Sequence, residues 1–240
     1  MDSTARLFEK IVKSRRSVRI FDKNLSFNHD SVDQAIKWAS LAPNSSNLQL
    51  WEFYRLKSEK IRHEAIGICL GQQAAKTARE LVVFVSRRDL WRSRAKFNLD
   101  HLDTDKLPES QKKKVLNYYS RLIPFLYFSD PLGFLGLAKS FMMTILGFFK
   151  PTYREMKESD LKAIAHKSCA LAAENFMLGM SAHGYGSCPM EGFDSRRLSR
   201  LLNLPKGAKI TMVIAVGPVS DEGIYGKQLR LAQDQVQFCL

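Results

Sequence analysis

The sequence is short of the features that most often declare a chemistry. Its 240 residues hold four cysteines, Cys69, Cys169, Cys188 and Cys239, widely spaced and with no Cys-x-x-Cys pair. That excludes a disulfide scaffold and is the pattern of reduced thiols in a cytoplasmic setting. The five histidines form no His-Glu-x-x-His motif, and although His166 and Cys169 share a helical face, two ligands do not make a metal site. Cys188 lies near His183 but has no orienting third group, so thiol nucleophile chemistry is not indicated. There is no Walker motif, and Gly184 and Gly186 do not complete G-x-G-x-x-G because Pro189 fills the third position. Internal repeats and Gly/Ser-rich linkers are absent. The start, MDSTARLFEK, carries no apolar stretch of the signal-peptide type.

Acidic residues are also scarce, 24 against 37 Lys and Arg, for a net charge of +13. That balance favours an anionic partner: a nucleotide, a nucleic acid, an acidic metabolite or a membrane surface. The 45% hydrophobic and 25% charged content is that of an ordinary globular chain.

Hydrophobic periodicity predicts a mixed set of elements. Val32, Ala35, Ile36 and Ala39 follow Asp30, a good N-cap, at helical spacing, and the helix should stop before Pro43. Trp51–Leu56 and Leu81–Val85 read as strands, with a helical stretch starting at Ile61–Ala65 between them. A long helix is expected over Ile164–Met180, ended by Gly184. A shorter one follows Phe193-Asp194-Ser195 and stops at Pro205, and Ile210–Val216 is the strongest strand signal. The middle, residues 87–159, reads as an inserted excursion with one helix around Gln111–Leu122. Within it, residues 131–149 are apolar with a single charge, Lys139, and are expected to form a buried or interface-covering helix pair, with peripheral membrane contact as an alternative. One α+β domain over residues 1–240 is the simplest account.

Three motifs carry the functional reading. Arg15-Arg16-Ser17-Val18-Arg19 places three guanidiniums and a hydroxyl within five residues, just past a short amphipathic stretch. Arginine forks match phosphate oxygens bidentately, although in isolation the cluster reads equally as a solvated basic patch. The polar loop Pro43-Asn44-Ser45-Ser46-Asn47-Leu48-Gln49 precedes Trp51, and Pro189-Met190-Glu191-Gly192-Phe193-Asp194 follows the long helix.

In this order and spacing the motifs, together with Val216-Gly217 and Arg230, resemble the FMN-dependent nitroreductase family over roughly residues 10–86 and 160–235. The resemblance implies an α+β fold around a mixed central sheet flanked by helices. It also implies an intimate homodimer holding FMN at the subunit interface, with NADH or NADPH as hydride donor and a nitroaromatic, quinone or related small molecule as electron acceptor. Carried over by position, Arg15, Ser17 and Arg230 would hold the FMN phosphate, with Arg16 lining the same end and Arg19 beside the pyrimidine edge of the flavin. Pro43, Asn44, Ser45 and Asn47 would reach the flavin of the partner subunit. Pro189, Met190, Glu191 and Gly192 would pass beside the ring with a backbone N–H toward N5, and Gln73 would contact the ribityl or pyrimidine. No side-chain acid, base or metal is required.

Two positions depart from the pattern. Leu50 stands where the family usually has proline, and the C-terminal Lys-x-Arg appears as Lys227-Gln228-Leu229-Arg230. The competing reading is a basic protein without redox activity that binds nucleic acid or an anionic membrane, built on +13 and the stretch Arg87–Arg94. The family resemblance itself implies no nucleic-acid partner.

Overall fold

A computed structural model describes residues 2–103, 107–130 and 132–240. The chain runs α1 (Ser3–Ser14), α2 (Asp30–Ala39), β1 (Trp51–Leu56), α3 (Glu59–Ile68), α4 (Gln73–Thr77), β2 (Glu80–Ser86), α5 (Trp91–His101), α6 (Glu109–Asn117), α7 (Ile123–Tyr127), α8 (Phe134–Leu146), α9 (Glu158–Ala182), β3 (Gly186–Met190), α10 (Ser195–Leu201) and β4 (Lys209–Gly217).

The strands form one sheet in the order β1-β2-β4-β3, with every pairing antiparallel. The parallel component expected of a mixed sheet is a single bridge, Ser17 to Ser187, where the segment after α1 lies against the outer edge of β3. β2 is buried along its whole length and feeds both faces, as a continuous apolar run must when helices cover both sides. Leu81, Val83 and Val85 pack with Val213, Ala215, Ala65, Ala74 and Leu198 on one face. Val82 and Phe84 pack with Ile214, Val216 and the small or aromatic residues Ala172, Ala173 and Phe176 of α9 on the other. The alternation follows from the two-residue period of a strand.

α2 begins at Asp30, but His29 holds the cap position and Asn28 supplies the oxygen that accepts the Asp30 N–H at 2.9 Å. α9 starts earlier than its apolar spacing suggested, at Glu158, on a capping box in which Asp160 accepts the Lys157 N–H at 3.0 Å. It ends as expected, with Gly184 in the left-handed region at φ 78°.

Among the described residues the 87–159 region holds the four helices α5 to α8, where the sequence predicts one around Gln111–Leu122 and a pair at 131–149. Two of them, α5 and α7, wrap onto the loop before β1: Leu48 and Leu50 share a cluster with Ala95, Ile123 and Tyr127, joined by Ala165 of α9. α6 covers only the first part of the predicted Gln111–Leu122 helix, and a π-helical turn, Tyr118–Leu122, completes it. The expected helix pair at 131–149 is instead one helix, α8. Its inner side seats Gly136 beside the Met156 carbonyl, while Phe134, Phe141 and Phe148 stay exposed. Pro131 lies outside the described residues.

Candidate functional site

The first motif leaves α1 as extended chain and docks on β3. The Val18 N–H donates to the Ser187 carbonyl at 3.0 Å, and Arg19 N–H donates to the Gly223 carbonyl at 2.6 Å. Close approach is possible because residue 186 is glycine: a Cβ there would come within 2.6 Å of a Val18 methyl and 2.8 Å of a Val219 methyl. The arginine segment is thereby held along the strand that ends in Pro189 and Met190 and continues into Glu191-Gly192. Two motifs about 170 residues apart meet on one sheet edge.

Below this edge lies a cavity of about 160 Å³ lined by Ser14, Arg15, Arg16, Gly184, Gly186 and Ser187, among others. Arg15 is mostly buried and has Glu174 of α9 at 3.9 Å, the one carboxylate within ion-pair range of the cluster among the described residues. Arg16 donates to the Gly226 carbonyl at 3.0 Å, and Arg19 reaches the Cys188 sulfur at 3.5 Å. Burial pushes the Cys188 thiol up, and Arg19 partly opposes this. Cys188 is thus an Arg19 neighbour and does not pair with His183, which stacks on Trp38 at 5.2 Å.

At the far end of β3, Gly192 is exposed, and among the described residues its N–H has no protein acceptor. Its carbonyl accepts from Gln72 Nε2 at 2.7 Å, and Gln72 also donates to the Cys69 carbonyl. Gln73, singled out in the sequence, opens α4 and is exposed; the contact to Gly192 is made by the preceding residue, Gln72. Nothing in local spacing distinguishes the two glutamines, because the difference comes from where α4 begins.

The 43–49 loop stands apart from the arginine edge within the chain. It leans on α9 through Ser45 N–H and Ser168 Oγ (3.4 Å), six residues before Glu174, about 9 Å along the helix. Pro43, Asn44 and Ser45 line a cleft of about 380 Å³ with Lys167, Ser168 and Leu171. The loop holds three non-glycine residues at positive φ: Ser46 (58°), Asn47 (49°) and Gln49 (48°). Such backbone persists only where the surroundings over-determine it. Here Asn44 accepts the Gln49 N–H at 2.8 Å, Asn98 donates to the Asn47 carbonyl at 2.8 Å, and Tyr119 donates to the Ser46 carbonyl at 3.1 Å. Asn98 and Tyr119 are supports that the sequence reading missed.

Lys227 and Arg230 lie on the exposed tail. Among the described residues Arg230 donates to the neighbouring Leu229 carbonyl, and it does not line the cavity beside Arg15, whose wall there is Val219 and Ile224.

Among the described residues no three His, Cys, Asp or Glu side chains are grouped to hold a metal. His166 bonds Thr211 Oγ1 at 2.9 Å, and burial holds its pKa below the usual value, a structural role. The basic stretch Arg87–Arg94 is largely engaged internally: Arg87 pairs with Glu52 and Asp89, Arg88 with Glu158, and Arg92 sits over the rings of Trp91 and Phe128. Trp91, Tyr119 and Phe125 line a largely apolar cavity of about 700 Å³ between α5, α7 and α8, while Tyr118 and Tyr127 line a second of about 340 Å³.

The sequence model of the nitroreductase family matches residues 12–218, running through the 87–159 region. The chain belongs to the nitroreductase family. It is 26% identical over 211 residues to protein DrgA of Synechocystis, covering 88% of this chain and 83% of that one. It is 25% identical over 217 residues to the CLA biosynthesis enone reductase of Lactiplantibacillus plantarum, covering 90% and 87%. A crystal structure of an Exiguobacterium sibiricum protein in complex with FMN superposes with a TM-score of 0.68 at 20% identity, over 97% of each chain.

The donor set suits that kind of ligand. A phosphate monoester carries about −1.5 to −2 charge and needs several charged donors when it leaves water, and the β3 edge offers three guanidiniums and a hydroxyl against one distant carboxylate.

Proposed function

We propose that the chain binds FMN along the β3 edge and moves hydride from NADH or NADPH, by way of the flavin, to an electron-poor acceptor such as a nitroaromatic, a quinone or an enone. The observation that supports it most is the junction of Arg15–Arg19 with the strand leading to Gly192. FMN, when bound, supplies the redox chemistry, accepting a hydride and passing it on. The residues of the chain bind and orient. Arg15, Arg16 and Ser17 hold the phosphate, and Arg19 places positive charge at the ring edge where negative charge develops. Pro189 and Met190 fix the course of Glu191 and Gly192, whose backbone faces the ring. Gln72 braces Gly192, and Gln73 is assigned to the polar tail of the flavin.

The same reading makes the protein a single-domain homodimer, with Pro43, Asn44, Ser45 and Asn47 serving the partner's flavin. Support comes from apolar side chains left exposed: Leu7, Phe8 and Val12 on α1, Leu171 on α9 beside the 43–45 loop, and Leu229 and Phe238 in the tail. Lys227 and Arg230 join the phosphate in this reading, delivered by the tail of the same chain or of a second copy. The acceptor is assigned to the aromatic cavities of the 91–127 helices.

The test is direct. The purified protein should be yellow, release FMN on denaturation and oxidise NADH or NADPH when an acceptor is added. The Arg15→Ala/Ser17→Ala double variant should keep its fold but weaken FMN binding at least about 100-fold, two charge-assisted contacts being lost. A colourless protein that takes up no added FMN refutes the reading, and unchanged affinity in the variant refutes the phosphate assignment.

A further inference from the structure

The one charge in the apolar segment after Asp130 is turned away from its surface. Lys139 reaches inward from α8, donating to the Phe125 and Phe128 carbonyls at 2.5 Å each and lying over the Phe125 ring at 5.2 Å. Asp130, at the start of the segment, is also consumed: its carboxylate accepts the N–H groups of Leu132, Phe134 and Leu135. What remains outward is an uncharged stripe, Phe134, Leu137, Phe141 and Ile145, spaced i, i+3, i+7 and i+11 on one side of the helix, with Phe148 in the turn just past its end. These side chains are 65%, 55%, 69%, 47% and 81% exposed, with Phe149 beside them at 82%. The buried side of the helix is Gly136, whose missing Cβ lets the Met156 carbonyl approach.

We propose that this face of α8 docks in the plane of an anionic lipid bilayer. The helix spans 13 residues, about 20 Å, which matches an interfacial helix lying flat. Among the described residues, no helix is long and apolar enough to cross a membrane. Charge complementarity selects the occupant. Residues 107–154 contain seven Lys and Arg against two Asp and Glu, on a chain of net +13. Lys150 and Arg154 follow the stripe directly, where they would meet anionic headgroups while the phenylalanines enter the acyl boundary. A second copy placed on this face would bring like charges together. The apolar side chains of α1, α9 and the tail offer a separate surface for that purpose. The docking face does not depend on the redox reading and is testable without it.

The experiment is flotation of the full-length protein with vesicles of phosphatidylcholine alone or of 70:30 phosphatidylcholine:phosphatidylglycerol, at low and high salt, with analytical ultracentrifugation alongside. The native protein should float with the anionic vesicles and bind neutral ones at least about tenfold more weakly, and added salt should release it. Phe141→Ser/Phe148→Ser should reduce anionic-vesicle binding about tenfold or more while keeping the melting temperature and sedimentation coefficient. Leu25→Ser, an exposed apolar position in neither surface, should leave vesicle binding unchanged. Failure of the native protein to float with anionic vesicles overturns the proposal. So does retained binding in the α8 variant, or an α8 variant that changes the oligomeric state and not vesicle binding.

Discussion

Replacing Gly186 with alanine should loosen the flavin site without touching any ligand-binding side chain. The added methyl would lie 2.6 Å from one Val18 carbon and 2.8 Å from a Val219 methyl, whereas carbon atoms pack best at about 3.5–4.0 Å. Either the Arg15–Arg19 segment or the segment around Val219 must therefore move by about 1 Å. Val18 is 1% exposed and close-packed, so rotamer adjustment offers little relief. A shift of that size would stretch the 3.0 Å Val18–Ser187 hydrogen bond past normal length and break the bridge that positions the arginines. Overpacking of this kind costs about 1–3 kcal/mol, roughly 3–10 °C in melting temperature for a chain of this size. If about 1.4 kcal/mol of that strain is felt at the phosphate, FMN affinity falls about tenfold.

The two readouts separate the links of the argument. Thermal denaturation of the FMN-free protein measures the packing strain, and quenching of FMN fluorescence measures the site. A variant as stable as the parent refutes the contact geometry. A variant that melts earlier but binds FMN with parental affinity refutes the coupling between the β3 edge and the phosphate.

Glu80 is fully buried and takes a two-pronged contact from Arg55, with 2.9 and 2.8 Å to its two oxygens. Glu80→Ala leaves a nearly buried guanidinium short of a partner and should cost about 3–5 kcal/mol in urea denaturation; a loss under 1 kcal/mol would refute the pair's burial. Cys69, Cys169 and Cys188 are buried and Cys239 is exposed, so a thiol reagent should modify one cysteine per native chain and four after denaturation. Burial raises the Cys69 and Cys169 thiols from 9.0 to about 11, so the folded state holds protons that the unfolded chain has released between those values. Their stabilising contribution is complete below pH 9 and is lost as pH rises toward 11, by about 2–3 kcal/mol per thiol at most. A melting temperature flat from pH 8 to 11 in the reduced protein would refute this.

What the sequence disclosed tracks how each element earns its stability. β2 and β4 were legible because both faces of a central strand are apolar, which leaves little ambiguity over where the run begins and ends. Glu80 was not legible: its partner Arg55 lies on β1, and only the β1–β2 register, which sets Arg55 opposite Val82, brings it within reach of Glu80 two residues along. α5 escaped detection because its inner face is built from Ala95, a small residue, and Asn98, whose amide donates to the Ser46 and Asn47 carbonyls. A helix that buries no large side chain shows no hydrophobic period. In α8 the period was present, but Lys139 interrupted it, and the inward turn of that side chain is a tertiary fact. At the site, the Arg15 cluster and the Pro189–Asp194 motif were legible as residues. Their meeting required the Ser17–Ser187 bridge, which depends on a glycine that no local rule marks.

The arginines can be sorted by the partners the fold gives them. Arg55 is paired with Asp33 and Glu80, Arg87 with Glu52 and Asp89, and Arg88 with Glu158, all with side chains no more than one-fifth exposed. Cations paired in this way are neutralised by the protein and serve its packing, whatever the net charge. Arg16 and Arg19 instead donate to a carbonyl and a sulfur, and Arg15 has one carboxylate at the edge of interaction range. Holding three guanidiniums on one strand edge without compensating carboxylates is a standing repulsion in the ligand-free chain, and an arriving dianion relieves it. Binding there should therefore grow tighter as salt is lowered, more steeply than stability changes, since the paired arginines are shielded by their own partners. The sequence charge of +13 cannot show this distinction; the partner of each arginine can.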